Sequence, residues 1–198
     1  MDNPWDKRYA VDEYIYGEAP NEFYAWQLSK LKPGKIILTC EGEGRNAVYA
    51  ASLGWHVDAF DASKTGKAKA LALANKKNVE INYIIADADT VSYPENSVDA
   101  VALIYAHFPP EIRKGIHQKA ISWLKPGGTI ILESFNTNQL QNDSGCPKNP
   151  DLLYSEDLIK EDFKGMEVEL IQTMQVELKE GTFHNGKADI VRFVGVKA

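Results

Sequence analysis

Apolar residues along the chain fall into two kinds of segment. Residues 36–40, 55–60, 81–86, 97–106 and 129–135 are short, nearly continuous apolar runs, the pattern of strands buried on both faces. Between them, apolar residues recur three or four apart. Residues 21–31 carry Tyr24, Leu28 and Leu31 on one stripe, and 64–77 turn Ala68, Leu71 and Ala72 inward. Residues 111–125 align Ile112, Ile116, Ala120 and Leu124, and 45–53 and 155–163 read as shorter helices. Stop signals separate these units: Lys32-Pro33-Gly34, Gly54 as a C′ cap, and Lys125-Pro126-Gly127-Gly128. Strand and helix alternate, which predicts an α/β fold around a parallel sheet. The ending differs: 166–178 and 188–196 read as two strands around Asn185-Gly186, a strong hairpin signal.

Two segments stand outside this alternation. Residues 136–154 are long, polar and broken by Gly145, Pro147 and Pro150. They leave the C-terminal end of the fifth strand, where open α/β sheets bind ligands. Residues 1–18 are rich in aromatics and charge, with Trp5, Arg8, Tyr9 and Tyr16. This stretch is too short for its own core. It is either an arm packed on the surface or a lid over a ligand.

The turn after the first strand carries the chemistry. Gly42 and Gly44 leave bare backbone for a ligand, and Gly42-x-Gly44-x-x-Ala47 fits the dinucleotide fingerprint. Its charges argue otherwise. A dinucleotide brings a pyrophosphate to this helix N-terminus, and Glu41 and Glu43 would repel it. S-adenosylmethionine, a nucleoside with a sulfonium, an ammonium and no phosphate, suits two carboxylates. Asp61 ends the second strand twenty residues after Glu41, where an acidic side chain meets the ribose hydroxyls. Ser63 is available to cap the next helix in its place. Asp87 or the amide of Ala88, after the third strand, is placed to read adenine; a solvated loop Asp is the alternative.

Composition narrows the partners. The 198 residues suffice for one domain, and 28 acidic against 22 basic residues give a net charge of −6, no footprint for nucleic acid or an anionic membrane. Cys40 and Cys146 are the two cysteines, one in a strand and one in a late loop, so no disulfide framework is expected. No His/Cys/Asp cluster has metal-ligand spacing. There is no signal peptide or long apolar span, and a cytoplasmic protein, monomer or homodimer, is expected.

The chain resembles class I S-adenosylmethionine-dependent methyltransferases, most closely the small bacterial ones related to the tellurite-resistance methyltransferase. The resemblance rests on Trp5-Asp6-x-Arg8-Tyr9, Tyr16-Gly17-x-x-Pro20-Asn21, Glu41-Gly42-Glu43-Gly44-Arg45-Asn46-Ala47, Asp61, Asp87, His107-Phe108-Pro109, Leu124-Lys125-Pro126-Gly127-Gly128, Gln139-Leu140, and Glu180-Gly181 with His184. It implies a three-layer, Rossmann-like sandwich whose seven-stranded, mostly parallel sheet ends on an antiparallel strand. The usual Asp-x-Gly before the glycine motif is here Leu38-Thr39-Cys40. The implied cofactor set is Glu41, Gly42, Glu43, Gly44, Asn46, Asp61, Ala62, Asp87, Ala88 and Tyr105. The implied substrate or lid set is Trp5, Arg8, Tyr9, Tyr16, Phe135, Glu180 and His184. His107 is the candidate base, with a packing role as the alternative; His56 and His117 read as structural. Tyr105-Ala106-His107-Phe108-Pro109-Pro110 lacks the Asn/Asp-Pro-Pro-aromatic pattern of enzymes that methylate DNA bases, which favours a small-molecule acceptor: a thiol, selenol or oxyanion. The competing activities are a nicotinamide-dependent oxidoreductase and an S-adenosylmethionine-binding protein without turnover.

Overall fold

A computed structural model describes residues 3–145 and 147–198. Cys146, and with it the expectation about its pairing, lies outside the described residues. One seven-stranded sheet organises the chain. Its strands are β1 (Lys35–Thr39), β2 (His56–Asp61), β3 (Asn82–Ile85), β4 (Val98–Ile104), β5 (Leu124–Phe135), β6 (Met166–Glu180) and β7 (His184–Lys197), in the order β3-β2-β1-β4-β5-β7-β6. β1 to β5 pair in parallel, β7 runs antiparallel to β5, and β6 antiparallel to β7. β6 therefore runs with β1–β5, so its end at Glu180 lies at the same sheet edge as the C-termini of β1 and β4.

The helices are α1 (Pro4–Arg8), α2 (Glu22–Leu28), α3 (Arg45–Ser52), α4 (Lys64–Lys76), α5 (Pro110–Trp123) and α6 (Glu156–Asp162). They cover both faces because alternate strand residues point to opposite sides. Ile36, Leu38, Ala100 and Ala102 pack in one core with Phe23, Tyr24, Ala47 and Ala70 from α2, α3 and α4. Ile37, Val101 and Leu103 pack in the other with Ile116 and Trp123 of α5, Ile159 of α6 and Phe163 just after it.

Three expectations differ. α4 buries Gly66, Ala70, Leu73 and Ala74 and leaves Ala68, Leu71 and Ala72, the face expected inside, exposed, because the α3 contact through Ala70 sets its rotation. The hairpin does not turn at Asn185-Gly186; these residues pair with Lys179 and Leu178 inside the ladder. The chain reverses at Gly181–Phe183, between Glu180 and its partner His184. Gly181 takes the left-handed conformation (φ 72°), and a Cβ there would meet the Ile15 carbonyl oxygen. The N-terminal segment docks on that tip, with the Thr182 amide donating to the Ile15 carbonyl at 2.8 Å. The described residues of the 136–154 loop carry two short 3-10 turns (Thr137–Gln141 and Pro150–Leu152) and a bridge between Asn136 and Tyr154.

Candidate functional site

β1 delivers the chain to a left-handed Cys40 (φ 51°), and the glycine turn follows. The side chain that controls the turn is Glu41. Its Oε1 accepts the backbone N–H of Asn46 at 2.8 Å and of Ala47 at 2.7 Å. The first turn of α3 is thus capped from within by a buried carboxylate. Burial pushes the Glu41 carboxyl up to about 7, against the pull of the Ala47 and Asn46 amides and the Arg45 guanidinium. These amides are the donors a pyrophosphate would need. The turn excludes phosphate chiefly by occupying them.

Gly42 faces Asp61. Its N–H donates to Asp61 Oδ2 at 3.1 Å, and Asp61 Oδ1 accepts the Ser63 N–H at 2.8 Å. Each carboxylate oxygen keeps accepting capacity for a ribose hydroxyl. Burial raises the Asp61 carboxyl above its ordinary value, partly offset by the Ser63 and Gly42 amides. Tyr83 donates its hydroxyl to the Gly42 carbonyl at 2.7 Å. A Cβ on Gly42 would sit 2.6 Å from the Tyr9 hydroxyl, so only glycine fits beneath the N-terminal arm. Gly44 serves otherwise than expected: its missing side chain is filled by Ala70 of α4, 2.5 Å from where a Cβ would stand. It brings the two helices together and leaves no bare backbone for a ligand. Ala62 follows Asp61 at the end of β2, Asp87 is exposed beyond β3, and Ala88 packs at the core edge. Burial, followed by Asp61, Glu41 and Asp87, pushes the Cys40 thiol up, so it stays protonated.

Glu43 also departs from expectation. Its Oε1 pairs with Lys69 at 2.5 Å, and its Oε2 accepts the amides of Ile15 at 2.9 Å and Tyr16 at 3.5 Å. Lys69 Nζ in turn donates to the carbonyls of Val11 at 2.9 Å and Glu13 at 2.7 Å. One of the two carboxylates expected to suit the cofactor's positive charges instead holds the N-terminal arm. Asn46 is likewise engaged structurally: its Oδ1 accepts the Asn21 amide at 2.9 Å, and its Nδ2 reaches Glu41 Oε2 at 3.5 Å. At the start of the arm, Asp6 Oδ1 accepts from the Ser63 hydroxyl at 2.6 Å and the Thr65 amide at 3.0 Å.

Rings from several elements meet above the sheet. Tyr9 stacks on Trp5 and meets Tyr16 edge-on, and Arg8 lies over both Trp5 and Phe183. Tyr16 and Tyr105 approach His184 at ring distances of 4.5 and 4.4 Å, and Phe135 stands between His184 and His107 at 5.3 and 5.7 Å. The structure therefore brings Tyr16, Tyr105, His107, Phe135, Glu180 and His184 together. Tyr105 holds a left-handed conformation (φ 52°), a strained position for an aromatic residue. Burial lowers His107 to about 4, against the pull of the Leu152 carbonyl, so its ring is neutral near pH 7. Burial alone would raise Glu180, but the His184 hydrogen bond and Arg45 hold it at about 2. Its Oε2 lies 2.9 Å from Arg45 and 3.2 Å from His184 Nδ1.

Sequence reasoning missed Lys69, Glu133 and Arg192, and left Asn21 and Arg45, which stand in the resembling motifs, with no role assigned. Asn21 Nδ2 donates to Glu133 Oε1 at 2.6 Å and Glu180 Oε1 at 2.9 Å, Tyr105 donates its hydroxyl to Glu133 at 3.0 Å, and Arg192 pairs with Glu133 at 2.6 Å. A signal existed for Glu133: a carboxylate inside an apolar strand must find buried partners. Nothing in the helix pattern marks Lys69.

Residues 36–128 match the family model described as a methyltransferase domain. That stretch, 93 of the 198 residues, runs from β1 into β5 and holds the glycine turn and Asp61, and over it the chain is similar to methyltransferase domains. S-adenosylmethionine is the cofactor of that domain class, and the phosphate-excluding turn, Asp61 beside Gly42 and the aromatic wall fit it. By sequence the chain is similar to phosphoethanolamine N-methyltransferase 1 of Arabidopsis thaliana, 26% identical over 155 residues, covering 77% of this chain and 29% of the relative. It thus spans under a third of that enzyme's length. TehB from Haemophilus influenzae superposes with a TM-score of 0.75 at 20% identity, covering 98% of this chain and 66% of its own. A structure that describes conversion of a disulfide bond into a thioacetal group during echinomycin biosynthesis superposes with a TM-score of 0.79 at 19% identity, covering 98% and 90%. These two likenesses establish the fold. Among the described residues no helix is long and apolar enough to cross a membrane, and no group of three or more His, Cys, Asp or Glu could hold a metal ion.

Proposed function

We propose that this chain is an S-adenosylmethionine-dependent methyltransferase acting on a small molecule with a soft nucleophile: a thiol, selenol or oxyanion. The observation that carries the reading is the self-capped α3 terminus beside Gly42 and Asp61, which suits a nucleoside without phosphates. When bound, the cofactor supplies a methyl group already activated on sulfur. The chain's own part is placement. Asp61 accepts the ribose hydroxyls, the Gly42 backbone allows close approach, and Ala62, Asp87 and Ala88 border the adenine. Tyr16, Tyr105 and Phe135 pack around His184 and wall this end of the site against water. Positioning of this kind is worth up to about 7–11 kcal/mol of a barrier. His107, neutral and weakly basic, is the residue for the acceptor's proton, which suits an acceptor that ionises readily.

In this reading residues 3–20 are the lid, with Tyr9 over Gly42 and Trp5, Arg8 and Phe183 at the rim. Chemistry at sulfur in the thioacetal relative points the same way, and the acidic balance favours a small molecule over nucleic acid. The chain acts as one domain, in the cytoplasm, as a monomer or homodimer. Incubating it with S-adenosylmethionine and panels of thiols, selenols, oxyanions and amines, with adenosylhomocysteine release as readout, tests the proposal. Release with the soft nucleophiles is expected; release with amines alone would refute it.

A further inference from the structure

His107 lies just beyond β4, and its surroundings settle which ring nitrogen carries the proton. Nδ1 is 2.7 Å from the Leu152 carbonyl oxygen. A carbonyl can only accept, so Nδ1 is protonated and Nε2 bears a lone pair. The ring cannot easily turn over. It stacks on Phe135 at 5.7 Å with planes 8° apart, and Tyr154 packs at 5.6 Å. Tyr154 is itself pinned on both sides of His107, donating to the Ala106 carbonyl at 2.9 Å and accepting the Phe108 amide at 3.2 Å. The Ser134 hydroxyl lies 3.3 and 3.4 Å from the two ring nitrogens, longer than a good hydrogen bond. Nε2 is thus a weakly used acceptor. The group that acts on the ring electrostatically is His184, across Phe135.

We infer that the 136–154 loop, through the Leu152 carbonyl, makes His107 a hydrogen-bond acceptor toward the methyl acceptor, so that the site selects molecules whose reacting atom still carries a proton, namely thiols, over selenolates and ionised oxyanions. This rests on the methyltransferase reading. An ionised oxyanion would meet a lone pair at Nε2, while the two cations that act on His184 are already engaged, Arg45 by Glu180 and Arg8 by the Tyr16 hydroxyl and the rings of Trp5 and Phe183. Leu152 is a positioning residue in this scheme, and His107 touches the acceptor.

Two measurements on the full chain test it. Long-range proton–nitrogen spectra of the nitrogen-15-labelled protein, with His107 assigned by its loss in His107→Asn, should show the Nδ1–H tautomer, neutral down to about pH 4. The opposite tautomer, or titration near 6.5, overturns the inference. Second, wild type should turn over 2-mercaptoethanol faster than selenite, and His107→Asn, which keeps an amide donor near Leu152, should lose about tenfold or more in kcat/KM for the thiol while binding adenosylhomocysteine as before. Preference for selenite, turnover of neither, or an unchanged His107→Asn overturns it. Failure of wild type to bind adenosylhomocysteine would instead remove the methyltransferase reading. The tautomer result is read without turnover, so the two failures are distinguishable.

Discussion

Asp61 and Glu180 are both buried carboxylates, yet their partners give them opposite characters. Asp61 accepts two backbone amides and, among the described residues, pairs with no cation, and each of its oxygens keeps accepting capacity for a ligand. Asp61→Ala should weaken adenosylhomocysteine binding by about 1–3 kcal/mol, because the ribose hydroxyls lose buried partners. Calorimetry checks this, and an unchanged affinity would refute the ribose role. Glu180 is held at about 2 in the fold, below its ordinary 4.5. Its stabilisation is therefore complete above pH 4.5 and is lost as pH falls through about 2. Glu180→Gln should cost about 2–3 kcal/mol in urea melts at pH 7 and flatten the acid limb between pH 4.5 and 2. A variant as stable as wild type at pH 7 would count against the Arg45–Glu180–His184 network. At this scale the position of Asp61 beside the glycine turn was legible, because its distance from that turn is fixed by one strand-turn-helix unit. The direction of Glu41 into α3 and of Glu43 into the arm was not, because spacing gives a position and side-chain direction depends on what packs there.

The N-terminal arm shows the same limit for an element. Its composition marked it as docked, and Asp6 does anchor its start, but the anchors nearest the glycine turn are backbone groups: carbonyls 11 and 13 on Lys69, amides 15 and 16 on Glu43. Such bonds leave no side-chain pattern to read. They also tie the arm to the glycine turn, since Glu43 lies between Gly42 and Gly44. Lys69→Met should loosen the arm, so that trypsin cuts after Lys7 and Arg8 several-fold faster, and adenosylhomocysteine should slow cutting in wild type. Equal cutting in both proteins would show that the pair does not hold the arm. The strands were legible because continuous apolar runs leave little choice. The hairpin turn was not, because Asn185-Gly186 lost to Gly181, where the arm fixes the reversal.

Across the whole molecule, the sheet order puts β1 and β4 side by side, with the chain crossing between the β3 edge and β4. The open edge there is where such sheets bind ligands. Glu41, Gly42, Asp61, Tyr105 and His107 all reach it, and the parallel run of β6 adds Glu180 and His184. The same architecture serves dinucleotide enzymes, so topology alone does not choose the ligand. The choice is made at one helix terminus, whose amides are already taken by Glu41. Isothermal calorimetry of the intact chain against adenosylhomocysteine and NAD tests this most directly. Adenosylhomocysteine should bind and NAD should not; NAD binding without adenosylhomocysteine binding would contradict the account.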